Sequence, residues 1–178
     1  MAFNINEIKS QLKFGVARQN LFKVDIQNPA NSSGDRKTSF MVEASQIPAA
    51  TIGTIQVPYF GRQLKLAGDR TFAPWSVQVI NDEDFLIRNA MEEWSNRINR
   101  LQANVRDINN YKSQAQVTQY GKDGTEIRVY EFVGIFPIDV AAIDLAWAQN
   151  DSYETFQVTF EYDYWRVLSG RTGDAGGE

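Results

Sequence analysis

The stretch Thr155-Phe156-Gln157-Val158-Thr159-Phe160-Glu161-Tyr162-Asp163-Tyr164-Trp165 alternates apolar and polar residues along its whole length. A period of two belongs to a β-strand with one buried face, because successive side chains point to opposite sides of the sheet. The same alternation recurs upstream. Phe22, Val24 and Ile26 alternate with Lys23 and Asp25, and Phe40, Val42 and Ala44 with Met41 and Glu43. Across the polar stretch holding Pro29 and Gly34, these two runs read as a hairpin with a long tip. Leu64 and Leu66 alternate with Gln63 and Lys65; Trp75, Val77 and Val79 with Ser76 and Gln78; Ala115, Val117 and Gln119 with Gln116 and Thr118. A turn at Tyr120–Thr125 leads into a return strand with Ile127 and Val129. Its apolar residues change phase at Tyr130 and Phe132, the mark of a bulge or a switch of buried face, and Phe136-Pro137 closes it.

Two segments follow the helical period instead. Near the amino terminus, Asn4 can cap a helix with Glu7 as its capping-box partner, and Ile5, Ile8 and Leu12 share one face before Gly15. Further on, Ile87, Met91, Trp94, Ile98 and Leu101 recur every three or four residues. Asn81 or Asp82 is expected to cap this helix, with Asp82, Glu83 and Asp84 in its first turn and Arg97 and Arg100 at its end, as the helix dipole favours. The fold class is therefore mainly β: a barrel or sandwich of antiparallel strands with one packed amphipathic α-helix and a short N-terminal helix. Residues 1–168 are expected to form a single domain and 169–178 a flexible, Gly-rich carboxyl tail.

Histidine and cysteine are both absent. That removes disulfides, zinc sites of the usual nitrogen and sulfur type, thiol nucleophiles and histidine-assisted hydrolysis. No catalytic, metal or cofactor site is expected, and the chain reads as a structural protein, not an enzyme. The net charge of −4 is opposite to that of a dedicated nucleic-acid binder, which draws its affinity from neutralising phosphates. No apolar run is long enough to span a bilayer, and the start lacks the pattern of a secretory signal. Asp82-Glu83-Asp84 reads as a helix start, not a metal site. Gly68-Asp69-Arg70 reads as a turn with a local Asp–Arg pair, and Arg62, Lys65 and Arg70 as an exposed strand and turn. Trp75, Trp94, Trp147 and Trp165 all read as core. Ser45 to Tyr59, with Pro48 and Pro58 around Ile47, Ile52 and Ile55, is too apolar for an ordinary solvated loop.

The block Leu66-Ala67-Gly68-Asp69-Arg70-Thr71-Phe72, then Trp75, then Asn81-Asp82-Glu83, resembles the central signature of tail-tube proteins of contractile-tailed, T-even-type bacteriophages. Asn20-Leu21-Phe22 is similar to their first strand. Gly134 with Pro137, Thr155-Phe156 and Asp163-Tyr164-Trp165 are similar to their closing strands, so the likeness runs through residues 15 to 165. The resemblance implies a tail-tube, Hcp-like β-barrel subunit in hexameric rings stacked into a hollow tube, with itself as main partner. It also implies a tail sheath protein around the tube, a baseplate tube initiator, a tape-measure protein and a tail terminator. DNA would transit the lumen without specific binding, in a virion assembled in the host cytoplasm, without membrane insertion. Ile5, Ile8, Leu12, Ile47, Ile52, Ile55 and Tyr59 are the expected ring-stacking residues, and Gln116, Thr118, Gln157 and Thr159 the expected lumen-facing ones. Gly68, Asp69, Arg70, Phe72, Trp75, Asn81, Asp82, Tyr164 and Trp165 carry the signature as structural residues. The chain continues past the usual family end, from Arg166 to Glu178. The nearest alternative is the inner-tube subunit of a phage-derived contractile injection system, a tailocin or toxin injector. A baseplate tube initiator, a small enzyme and a monomeric binding module are more distant readings.

Overall fold

In the computed structural model, residues 5–13, 15–100, 102–103, 105–106 and 110–170 are described. Asn4, Leu101 and residues 171–178, on which parts of the sequence reading fall, lie outside them. The elements are α1 (Ile5–Gln11), β1 (Phe22–Ile26), a short 3-10 turn (Ser32–Gly34), α2 (Asp35–Met41), β2 (Val42–Ser45), β3 (Ala50–Tyr59), β4 (Arg62–Phe72) and β5 (Trp75–Ile80). They continue with α3 (Leu86–Ile98), β6 (Asn99–Arg100), β7 (Val105–Arg106), β8 (Ser113–Tyr120), β9 (Glu126–Val140), β10 (Thr155–Glu161) and β11 (Tyr164–Gly170). The fold is mainly β and antiparallel, as the alternating runs require.

One seven-stranded sheet carries the structure in the order β1-β8-β9-β10-β5-β2, with β11 also paired to β9. β9 organises it. Its first part pairs with β8 on one side and β11 on the other, and its last residues pair with β10. The sheet curls around this strand, so its two halves face each other across one core. Trp75 on β5 stacks on Phe132 of β9 with ring centroids 4.4 Å apart, and Phe160 and Tyr162 pack against the same pair. The apolar stripe of α3 closes the core with Ile87, Met91 and Trp94, all buried.

The bend depends on glycine. Gly134 has φ +72°, and a Cβ there would sit 2.1 Å from Asp163 Oδ2. That carboxylate is held in place by Lys112 Nζ at 2.6 and 2.8 Å. The polypeptide opposite breaks at the same level. The single long strand expected over 155–165 is therefore two, β10 and β11, which pair with the two parts of β9 on either side of the bend. Pro137 does not end β9, which runs 15 residues to Val140. It sits where the register slips between Thr159 and Phe160, a bulge position that tolerates a missing N–H.

Other expectations change for local reasons. Phe22–Ile26 and Phe40–Ala44 do not form a hairpin: β1 pairs with β8 and β2 with β5, and α2 lies between them. The intervening polar stretch is built, not slack. Asn28 donates from Nδ2 to Ala90 O at 2.8 Å, and its Oδ1 accepts from the Ala30 and Asn31 N–H groups. α3 begins at Leu86, with Phe85 at φ 52° in the cap position, so Asp82, Glu83 and Asp84 precede the helix. Gly68-Asp69-Arg70 lies within β4, not in a turn, and no Asp69–Arg70 ion pair occurs among the described residues. Trp75 and Trp94 are buried and Trp165 half-buried, but Trp147 is fully exposed.

β3 and β4 form a separate two-stranded ribbon that projects from the curled sheet. Its base is pinned by three side chains from the core. Trp75 Nε1 donates to Gln46 O at 2.9 Å, Trp165 Nε1 to Ala49 O at 3.2 Å, and the Tyr162 hydroxyl to Ala73 O at 3.0 Å. Both legs of the arm are thus tied to the residues that fill the core. Two outcomes follow. Gly134→Ala should lower unfolding stability by at least about 1–2 kcal/mol from the backbone alone, with the Asp163 collision added; a denaturation midpoint equal to that of the native chain contradicts this. Trp165→Phe keeps an aromatic ring beside Tyr130 but leaves Ala49 O without its donor, at a cost of about 1 kcal/mol. Amide exchange should then accelerate at the arm base and stay unchanged in β8 and β9; uniform protection contradicts the pinning.

Candidate functional site

The arm presents a run of apolar side chains that the fold leaves open. Ile55 pairs with Leu66 and Val57 with Leu64, so all four share one face of the ribbon, while Thr54, Gln56, Gln63 and Lys65 occupy the other. Every residue of β3 is exposed; Ile55 keeps 54% of its surface and Leu64 58%. A soluble chain rarely presents so many contiguous aliphatic groups without a use for them. Ile52, Ile55 and Tyr59 of the sequence reading lie on this arm, and Ile47 at its base. The segment expected to be an apolar loop is therefore its first strand. Val57, Phe60, Leu64 and Leu66 belong to the same surface and were not singled out from the sequence. Phe60 directly before Gly61, between two alternating runs, was the available signal.

Ile5, Ile8 and Leu12 form a second apolar stripe on α1, which has no buried residue. Leu145 and Trp147, in the connection between β9 and β10, are exposed as well.

The four polar lumen candidates fall on two walls. Gln157 and Thr159 lie on the outward face of the β10–β5 half, with Ser76, Gln78 and Thr155. This face is internally hydrogen-bonded, Gln78 Nε2 donating to Thr155 Oγ1 at 2.7 Å with the Ser76 and Thr159 hydroxyls 3.4 Å apart, and Glu161 at the end of β10 adds a carboxylate to it. Asp139, in register with Thr159, adds a negative charge at its margin. Gln116 and Thr118 lie across the core, on the outward face of the β1–β8–β9 half. That face carries the Lys23–Asp25 pair at 2.9 Å and the Arg166–Glu131 pair at 2.6 Å, and Thr118 is only 5% exposed.

The signature residues are braces. Gly68 packs against Gly53, where an added Cβ would meet backbone at 3.2 Å. Phe72 packs on Tyr162. Asn81 is tied to Glu154 by its backbone and side chain, both at 2.9 Å. Asp82 and Asp84 grip Lys37 of α2. The hydrogen bonds to Asp82 and then Asp84 raise the Lys37 pKa above 10.5, and the Lys37 bond followed by the Leu86 N–H lowers that of Asp84 below 3.8. The Asp84 contribution is thus present above pH 3.8 and lost as pH falls further, while that of Lys37 is present below pH 10.5 and lost above it. Asp69 and Arg70 are exposed on the arm, and Tyr164 is exposed beside Trp165. Among the described residues, no group of three acidic side chains is placed to hold a metal ion, and no helix is long and apolar enough to cross a membrane.

Comparison with known proteins places the sequence in a family. The family model described as phage tail tube protein matches residues 12–168. Tail tube protein gp19 of Enterobacteria phage T4 is 36% identical over 155 residues, covering 84% of this chain and 90% of its own length. The tail tube protein of Serratia phage KSP90 is 26% identical over 175 residues, covering 94% and 98%. Among solved structures, a chain of the PVC sheath/tube terminator of an extracellular contractile injection system superposes with a TM-score of 0.65 at 12% identity, covering 86% of this chain and 97% of that one. That likeness shows the fold alone, whereas the sequence identity leads to phage tail tubes. The chain belongs to the phage tail tube protein family, and its place is the tail tube of a T4-type phage particle.

Proposed function

We propose that copies of this chain form hexameric rings that stack into a hollow tube, through which the phage genome passes to the host. The exposed apolar face of the β3–β4 arm carries this reading. Each aliphatic side chain fully removed from water contributes about 1.5–3 kcal/mol, and the chain leaves roughly half of each of these side chains open, Ile55 at 54% and Leu64 at 58%. Ile47, Ile52, Ile55 and Tyr59 on or beside the arm, with Ile5, Ile8 and Leu12 on α1, are the ring-stacking residues. Residues 1–168 act as one domain; Ser169 and Gly170, expected in the tail, instead complete β11 by pairing with Val129 and Arg128. Its role is structural and not catalytic.

The tube's outer partner is a tail sheath protein; a baseplate tube initiator, a tape-measure protein and a tail terminator meet its ends and bore. The contractile injection systems share the fold, so the same subunit plan serves both kinds of particle.

Gln157 and Thr159, with Ser76, Gln78 and Thr155, face the bore, and Gln116 and Thr118 point away from it. Duplex DNA carries a negative charge about every 1.7 Å of axis, so lysines repeated around every ring would hold it. A hydroxyl and amide wall flanked by the Glu161 and Asp139 carboxylates wets the surface and repels weakly, within about 8 Å at physiological salt.

Negative-stain microscopy of the concentrated, purified chain should show rings and tubes; single subunits, even with the baseplate initiator supplied, contradict the reading. Gln157→Lys with Thr159→Lys should leave tubes intact and slow genome ejection several-fold, while Gln116→Lys leaves ejection unchanged. The reverse ranking would place the bore on the other wall.

A further inference from the structure

The tip of the arm is the least comfortable place in the molecule. Phe60 and Gly61 both have positive φ, +41° and +77°, as a tight two-residue hairpin turn requires. Glycine accepts this freely, but a bulky aromatic at Phe60 does not. Its ring is also 91% exposed and packs edge-to-face only on Tyr59, at 4.7 Å. Phe60 therefore costs the isolated chain backbone strain and exposed apolar area. Arg62, in register with Tyr59, adds a cation to the tip.

A cleft of about 660 Å³ opens between the free edges of β1 and β2, where the curled sheet fails to close. Phe22, Ala44, Ile47 and Val117 make its lining largely apolar. Glu43 brings a carboxylate that already accepts from the Tyr153 hydroxyl at 2.8 Å.

We infer that this cleft receives the Tyr59–Phe60 tip of a second copy of the chain. The two surfaces match in kind: aromatic rings for an apolar hollow, and Arg62 for Glu43. The tip cannot fill the cleft of its own chain. Gln46 and Ile47 lie just before β3, so the cleft lies at the arm's base, and the ten residues of the strand hold the tip about 34 Å away. Tip and cleft at opposite ends of one ribbon make a heterologous contact, which propagates from copy to copy instead of closing as a pair. The inference rests on the tube reading and names the surface on which the arm lands.

The chain contains no cysteine, which makes a clean test. Phe60→Cys and Ile47→Cys variants are prepared separately, assembled together under mild oxidation and run on a non-reducing gel. Covalent dimers are expected in the mixture and in neither variant alone; Phe60→Cys with Ile47→Cys in one chain should give a ladder of multimers. Arg62→Glu and Glu43→Arg, each alone, should raise the critical concentration for assembly at least about tenfold, and the two together should restore it to within about threefold. Tubes visible by microscopy without the Phe60–Ile47 bridge, or charge reversals that fail to rescue each other, overturn this contact and leave the tube reading standing. A native chain that forms no tubes overturns both.

Discussion

A two-stranded ribbon has two faces and no interior, and alone in water such a hairpin is marginal. The β3–β4 arm persists because its base is held, and much of the rest of the molecule is arranged to hold it. Trp75, Tyr162 and Trp165 lie in or against the core, and each sends its single polar hydrogen to a backbone carbonyl at the arm's root. The same aromatic cluster that closes the two halves of the sheet thus also aims the ribbon. Gly134 and Asp163 set the bend that brings those halves together. Core and arm are coupled, so the direction of the projecting surface is fixed before any partner arrives.

The outward faces are sorted with equal economy. One wall is hydrogen-bonded across Gln78, Thr155, Ser76 and Thr159 and flanked by the Glu161 and Asp139 carboxylates; the wall across the core carries opposed charges in close pairs. A surface over which a polyanion must slide benefits from side chains that offer water and few cations. The aliphatic face of the arm belongs to neither wall. It is the surface proposed above to meet another copy of the chain.

Much of this was open to reading in the residues themselves. Strict alternation in Phe22–Ile26, Trp75–Val79, Ala115–Gln119 and Thr155–Phe160 marked strands correctly, because a half-buried strand cannot hide its period. The three-or-four spacing from Ile87 to Ile98 marked α3 just as clearly. Strand partners were hidden, since pairing is decided by the core as a whole: the segments nearest in sequence, β1 and β2, took β8 and β5 instead. α2 was hidden because it buries only Thr38 and shows no apolar stripe. β3 looked like a loop because Pro58 breaks the usual strand composition, yet an exposed ribbon can carry a proline that a central strand could not. Trp147 looked like core because composition cannot tell an apolar face turned inward from one turned toward a partner. The polar lumen candidates were real outward positions, but only the curl of the sheet reveals that they lie on two walls.

On the proposed reading, the arm's apolar face is completed by other copies of the chain and not by the fold of one. Residue-resolved hydrogen exchange, compared between dilute subunits and assembled tubes at one pH and temperature, tests it most directly. Amides of Ala50–Phe72 should gain more protection on assembly than any other segment, by two orders of magnitude or so, while those of β8 and β9, already closed in the single chain, change little. An arm that exchanges equally fast in both states would show that no neighbour covers it.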